Sequence, residues 1–281
     1  MSTTVQANSC YLTVNGLRLH YLDWGNPEAP HLVFVHGLTG TGHAFDNPAR
    51  RFRSRYHIMA ADVRGRGDSA WSLEGKYEYE DYASDLEGMV MQLGLQRFTL
   101  IGTSMGGIIS MIYAGKHAGH LERLVINDIG PDTEEGSNRI TQNVSATPPS
   151  FSTLDEALAY RRTAYPLVAK LSEADQREQA LFLLKRDDPA GRWVWKIDQE
   201  VNRQRAANGA PIRPPLWPAL SSLQCPTLVV WGMESDVLSE GQAKRMLQTL
   251  PKAELAAVPG VGHAPNLMEP EAMAALDRFL G

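Results

Sequence analysis

Five short apolar runs, "HLVFVHG", "YHIMAADVRG", "FTLIGTS", "RLVINDIG" and "PTLVVWG", constrain this chain of 281 residues more than any other feature. Each is nearly continuous in apolar residues and ends on glycine or a polar residue. A strand with one wet face alternates apolar and polar residues. A run without alternation suits a strand buried on both faces, as in a parallel sheet. Helical patterns separate the runs. "YEDYASDLEGMVMQLG" spaces Tyr82, Leu86, Met89, Val90 and Leu93 along one helical face and stops at Gly94. "SMGGIISMIYAGKHAG" follows its strand directly. "SEGQAKRMLQTL", with Ser239 as N-cap, and "EPEAMAALDRFL" read as two late helices. Near the start, Asn15-Gly16 sits between two alternating runs, a hairpin signal. Strands alternating with helices after an antiparallel start predict an α/β open sheet.

The rhythm breaks between residues 132 and 218. "TLDEALAYRRTAY" and "SEADQREQALFLLKR" read as helices, "PIRPPLWP" is Pro-rich, and no buried strand is evident. The expected organisation is a core domain of residues 1–131 and 219–281, with 132–218 as a helical cap over the sheet's carboxyl edge. That stretch holds twelve Lys or Arg and twelve Asp or Glu, so bulk charge does not predict the sign of a ligand.

Composition narrows the function classes. With 43% hydrophobic and 21% charged residues the chain reads as an ordinary soluble globular protein. A formal net charge of −5 leaves no basic footprint for nucleic acid. Arg51, Arg53 and Arg55 read as a solvated helix face. Cys10 and Cys225 are far apart, which argues against a disulfide framework and a thiolate metal site. No apolar run reaches transmembrane length, and the first residues do not read as a signal peptide. A cytoplasmic protein without membrane or nucleic-acid partners is the expectation.

"LIGTSMGG" places Gly102-Thr103-Ser104-Met105-Gly106 after an apolar strand and at a helix start. This is G-x-S-x-G in the context that gives it meaning. The glycines allow a sharp strand-to-helix turn that presents the Ser104 hydroxyl above the sheet, over a helix N-terminus that favours developing negative charge. A nucleotide-binding turn is the competing reading, but neither G-x-G-x-x-G nor a Walker lysine is present.

Together with "FVHGLTG", "DVRGRGDS" (residues 62–69) and "GVGHAPNLMEP", this turn identifies the chain as resembling the α/β-hydrolase superfamily over nearly its full length. The resemblance implies a mostly parallel eight-stranded sheet with helices on both faces and a helical cap insertion. It implies serine-hydrolase chemistry without cofactor or metal, on a small-molecule acyl substrate, by a monomer or homodimer. Ser104 takes the nucleophile's place and His263 that of the base. The backbone N–H groups of Leu38 and Met105 take that of the oxyanion hole, and His36 has an architectural role beneath it. The "RGD" at Arg66 to Asp68 falls inside a family loop and reads as architecture, not adhesion.

The resemblance leaves the orienting acid open. The commoner position lies three residues after the glycine of "PTLVVWG", where Ser235 stands, with Asp236 one further on. Other branches carry the acid 24 residues after the nucleophile, where Asp128 stands. That spacing favours Asp128, with Asp236 as the alternative. Serine rather than aspartate at the elbow argues against dehalogenase and epoxide-hydrolase chemistry. What remains is hydrolysis of an ester, lactone or amide. Alternatives are C–C bond hydrolysis, disfavoured because Ala264 rather than tryptophan follows His263, acyl transfer, or a non-catalytic binding protein. Trp193, Trp195, Trp217, Phe151 and Tyr165 are candidate pocket residues, and Arg161 and Arg162 could grip a substrate carboxylate.

Overall fold

The computed structural model describes residues 6–134, 136–165 and 168–281. The strands are β1 (Asn8–Val14), β2 (Leu17–Asp23), β3 (His31–Val35), β4 (His57–Ala61), β5 (Phe98–Thr103), β6 (Leu121–Asn127), β7 (Ser150–Phe151), β8 (Leu184–Asp187), β9 (Arg192–Trp195), β10 (Thr227–Gly232) and β11 (Ala253–Val258). The α-helices are α1 (Asp46–Phe52), α2 (Tyr79–Gln92), α3 (Met105–His117), α4 (Gly136–Ser145), α5 (Leu154–Ala164), α6 (Glu173–Leu183), α7 (Gln199–Asn208), α8 (Trp217–Ser222), α9 (Glu240–Thr249) and α10 (Pro270–Leu280).

Eight strands form one sheet in the order β1-β2-β4-β3-β5-β6-β10-β11. β1 and β2 pair antiparallel, β2 joins β4 antiparallel, and the pairings from β4 through β3, β5, β6 and β10 to β11 are parallel. The five continuous apolar runs are the five inner parallel strands. The hairpin turn has φ of 52° at Asn15 and 76° at Gly16, positive torsions that Asn-Gly tolerates best.

Helices cover both faces. Tyr82 and Leu86 of α2, Ile108 and Ile112 of α3, Leu220 of α8 and Met246 of α9 bury one face. Phe52 of α1 and Leu276 and Phe279 of α10 bury the other. Each such side chain contributes about 2 kcal/mol by leaving water. Arg51 and Arg55 are not merely solvated, since both pair with Asp277 on α10. Ser239 caps α9 as expected, its hydroxyl accepting from Gln242 N–H.

The stretch between β6 and β10 differs from the helical expectation. Besides α4 to α7 it contains a three-stranded antiparallel sheet ordered β7-β9-β8. The chain leaves α6 at Leu183, runs extended through β8, and turns through Asp188 to Gly191, where Gly191 has φ 64°. The turn residues of "DDPAG" carried that signal. The strands themselves are too short to show a period of two. This stretch is fastened to the sheet's carboxyl end by Asp198 N–H on Gly65 O (2.9 Å) and Gln204 Nε2 on Gly75 O (2.8 Å). The Tyr77 hydroxyl also donates to Asp198.

Candidate active site

β5 ends at Thr103 and α3 begins at Met105, so Ser104 alone makes the turn. Its backbone sits at φ 54° and ψ −116°, a strained conformation that costs about 1–3 kcal/mol. Neighbours hold it there. Ser104 N–H donates to Asn127 O at 3.0 Å, and Ser104 O accepts from Gly107 N–H at 2.8 Å. The flanking glycines serve close approach, while the unusual torsion falls on the serine itself. A Cβ on Gly102 would lie 2.3 Å from Gly106 O, and one on Gly106 would lie 2.0 Å from Val35 O.

His263 Nε2 lies 2.7 Å from Ser104 Oγ, and His263 Nδ1 lies 2.8 Å from Asp128 Oδ2. Asp128 is fully buried, and its Oδ1 accepts the Gly232 N–H at 2.9 Å. A buried carboxylate stripped of partners is strongly destabilising. Here each oxygen has one. With the carboxylate accepting from Nδ1–H, Nε2 is left to accept from the serine hydroxyl. The left-handed backbone of Asp128, φ 55°, turns its carboxylate out of the strand line. Asn127 beside it donates to Thr103 Oγ1 (3.0 Å) and to Pro265 O (2.8 Å), tying the histidine loop to β5 and β6.

Asp236, the alternative acid, faces another partner. Its carboxylate takes a two-pronged bond from Arg139 Nε (2.6 Å) and Nη2 (2.7 Å), which holds it below the usual carboxylate range.

The Gly37–Leu38 peptide runs close to Ser104, since a Cβ on Gly37 would lie 3.4 Å from Ser104 Cβ. The Gly37 carbonyl accepts from His36 Nδ1 (2.7 Å) and Gly40 N–H (3.2 Å). The Leu38 N–H, on the far side of that trans peptide, is thereby held pointing away from both. The Ser104 carbonyl is engaged inside α3, so the Met105 N–H projects from the helix N-terminus. Arg66, fully buried, donates to Leu38 O (3.0 Å), Arg64 O (3.2 Å) and the Tyr82 hydroxyl (3.0 Å). Arg66 of the "RGD" is therefore interior scaffolding of the 37–38 loop, while Asp68 is exposed and pairs with Lys196.

His36 accepts the Val63 N–H on Nε2 (3.1 Å) and donates from Nδ1, so it is neutral in its own hydrogen bonds. Burial is the main cause that pushes its pKa down from 6.5 to about 4. The unfolded chain protonates this imidazole below pH 6.5, while the folded chain refuses the proton until about pH 4. The stability it supplies is therefore present above pH 6.5 and lost as pH falls, by about 3 kcal/mol. In urea unfolding, the stability gap between wild type and His36→Gln should narrow from pH 7 to pH 4. A gap that does not change with pH would contradict this account.

Ser104 and His263 open onto a cavity of about 440 Å³ at the carboxyl end of the strands. Its walls come from residues 37–40, Ala44 and Phe45, from α4 (Arg139, Ile140, Asn143, Val144), from Ala164 and Tyr165, and from 263–267. Tyr165, one of the candidate pocket residues, is among them. Trp193, Trp195, Arg161 and Arg162 are not among the lining residues. Phe151 and Trp195, with Trp193 against them, build a separate apolar cluster under the small sheet, and the Trp195 indole donates to Pro148 O. Arg161 is buried and donates to Gln176 O, and Arg162 donates to Gln176 Oε1. Trp217 donates to Asp132 under the Arg245 guanidinium. Helical spacing alone does not say which face of an inserted helix meets the sheet, so Arg139 and Asn143 carried no visible signal. Asn127 had one, a polar residue ending an apolar strand beside Asp128.

A second serine–histidine–aspartate contact lies elsewhere. Ser9 Oγ is 2.7 Å from His20 Nε2, and His20 Nδ1 is 2.7 Å from Asp62 Oδ2. Asp62 also accepts from Gly42 N–H (2.6 Å) and Asp68 N–H (2.9 Å), so it knits the 62–69 loop together. Ser9 sits on the exposed edge strand, outside the cavity. His20, Asp62 and Asp68 are also the one grouping among the described residues that is close enough to share a metal ion. Their donors are already spent on one another and on Lys196.

The sequence model of the alpha/beta hydrolase fold matches residues 30–270. The chain belongs to that family. It is 30% identical over 270 residues to the 3-hydroxybutyrate-oligomer hydrolase of Cupriavidus necator, covering 93% of this chain and 92% of the relative. It is 26% identical over 255 residues to the 2-(acetamidomethylene)succinate hydrolase of Mesorhizobium japonicum, covering 90% and 88%. Among solved structures, an alpha/beta hydrolase from Novosphingobium aromaticivorans superposes with a TM-score of 0.83 at 31% identity, over 98% of both chains. The eight-stranded sheet of this hydrolase is the one its resemblance implied. Among the described residues, no helix is long and apolar enough to cross a membrane.

Proposed function

We propose that this hydrolase cleaves a small carboxylic ester, lactone or amide through an acyl-enzyme on Ser104. His263 is the base, Asp128 the orienting acid, and residues 132–218 form a cap over the site. One observation carries the reading: Asp128, His263 and Ser104 form an unbroken hydrogen-bonded chain ending at the wall of the cavity. Ser104 Oγ adds to the substrate carbonyl carbon while His263 Nε2 takes the hydroxyl proton. The oxyanion falls to the Leu38 and Met105 N–H groups. His263 then protonates the departing alkoxide or amine. Water attacks the acyl-enzyme, His263 takes its proton, and the acid leaves with Ser104 restored. Asp128 holds the proton on Nδ1 throughout and stabilises the transient imidazolium. The names of the two curated relatives, both hydrolases of small acyl compounds or their oligomers, support the class of substrate.

The test is turnover of p-nitrophenyl butyrate together with labelling by a fluorophosphonate. Hydrolysis, and one label per chain on the Ser104 peptide of native but not denatured protein, is expected. Absence of both turnover and label, or a label on Ser9 instead, would sink the proposal.

A further inference from the structure

We infer that Arg139 makes the site selective for acyl compounds that carry a free carboxylate; this rests on the serine-hydrolase reading and deepens it. Among the described residues lining the cavity, Arg139 is the sole arginine or lysine, and none is acidic. An anion entering there meets one guanidinium and no carboxylate wall. Arg139 is also held in a set orientation. Asp236 takes its Nε and Nη2 edge, and the start of α4 is pressed onto Asp236, with Gly136 N–H on Asp236 O at 2.9 Å. A Cβ on Gly136 would stand 2.5 Å from the Asp236 carboxyl carbon.

A guanidinium has five N–H donors, and the Asp236 pair engages only one edge of it. Asn143, one turn further along α4, lies on the same helix face and the same cavity wall, and Tyr165 adds a hydroxyl. Stability does not explain the pair. Both partners are about half exposed, with side chains 52% and 44% accessible. Exposed ion pairs contribute little to folding. A cation buttressed by an aspartate at the wall of a reacting serine's cavity suits recognition of a substrate carboxylate by charge-assisted hydrogen bonds.

The experiment compares matched esters in wild type and Arg139→Gln. p-Nitrophenyl hemiglutarate against p-nitrophenyl valerate places the carboxylate on the acyl side. 3-Butyryloxybutyrate against its methyl ester places it on the leaving side. Wild type should favour the charged member of one set by about 10- to 100-fold in kcat/KM, and the set that shows it locates the carboxylate. Arg139→Gln should lose that preference, its kcat/KM falling at least tenfold further on the charged member of the set than on the neutral one. In a Ser104→Ala background, glutarate should raise Tm, and adding Arg139→Gln should abolish the rise. No preference in either set, or an equal loss on charged and neutral esters, overturns the inference while leaving the hydrolase reading intact. Failure to hydrolyse any of the four, with no fluorophosphonate label on Ser104, overturns both.

Discussion

Asp128→Asn is expected to lower kcat by about 10⁴-fold, whereas Asp236→Asn should stay within tenfold of wild type on neutral esters. The asymmetry follows from which atoms face His263. Asp128 Oδ2 accepts from His263 Nδ1 at 2.8 Å and its Oδ1 accepts the Gly232 N–H at 2.9 Å. An asparagine amide turned to keep the Gly232 bond presents its NH₂ to Nδ1. That favours the tautomer with the proton on Nε2, where it can no longer accept from Ser104. The charge that would stabilise the imidazolium is lost as well. The side chain is nearly isosteric, so the fold should survive, and circular dichroism and unfolding midpoints should confirm it. Asp236 instead serves Arg139, and its loss frees a guanidinium at the cavity wall without touching the imidazole's proton. The reverse ranking in steady-state kinetics would move the acid role to Asp236.

Gly106→Ala should cost more than 4 kcal/mol, enough to leave most small domains unfolded or poorly populated. The added Cβ would stand 2.0 Å from Val35 O, 2.6 Å from Val35 C and 2.8 Å from His36 O. All three are backbone atoms of β3 and the residue after it, so no rotamer change relieves the clash. α3 would have to lift off the sheet edge, carrying the Met105 N–H away from the Leu38 loop. Gly107→Ala is the natural comparison. Its Cβ would meet the Ile129 Cγ2 at 2.4 Å, a side-chain methyl rather than backbone. It should cost clearly less. A Gly106→Ala protein whose urea midpoint lies near wild type would show that the approach of α3 to β3 is looser than described.

The sheet was legible because its signals are local. A strand buried on both faces must be apolar at every position, so "FTLIGTS" and "PTLVVWG" declare themselves without reference to anything distant. Asn15-Gly16 names its turn by the torsions only those residues accept easily. The region between β6 and β10 was less legible. β8 and β9 are four residues each, Leu184–Asp187 and Arg192–Trp195, with charged residues along them. Tertiary packing, not periodicity, turned "LKR" (residues 184–186) from helix to strand. Trp193 and Trp195, two of the candidate pocket tryptophans, were drawn into a separate core by the same packing.

By itself, then, the sequence determined the parallel sheet, the strand-turn-helix that exposes Ser104, and two carboxylates that could serve His263. Which of them lies against the imidazole is a matter of tertiary structure, and it is Asp128 whose Oδ2 faces His263 Nδ1. Asp128 and His263 are 135 positions apart, and Arg139 and Asp236 are 97 apart. Whether such side chains meet depends on which loops the sheet order β5-β6-β10 brings to one edge and which way each backbone turns there. The left-handed torsion at Asp128 points its carboxylate at the imidazole, and the seat of α4 gives Asp236 to an arginine instead. A preference of one residue for one conformation is written locally. A contact between distant residues exists only once the chain between them has closed its loops and buried its core.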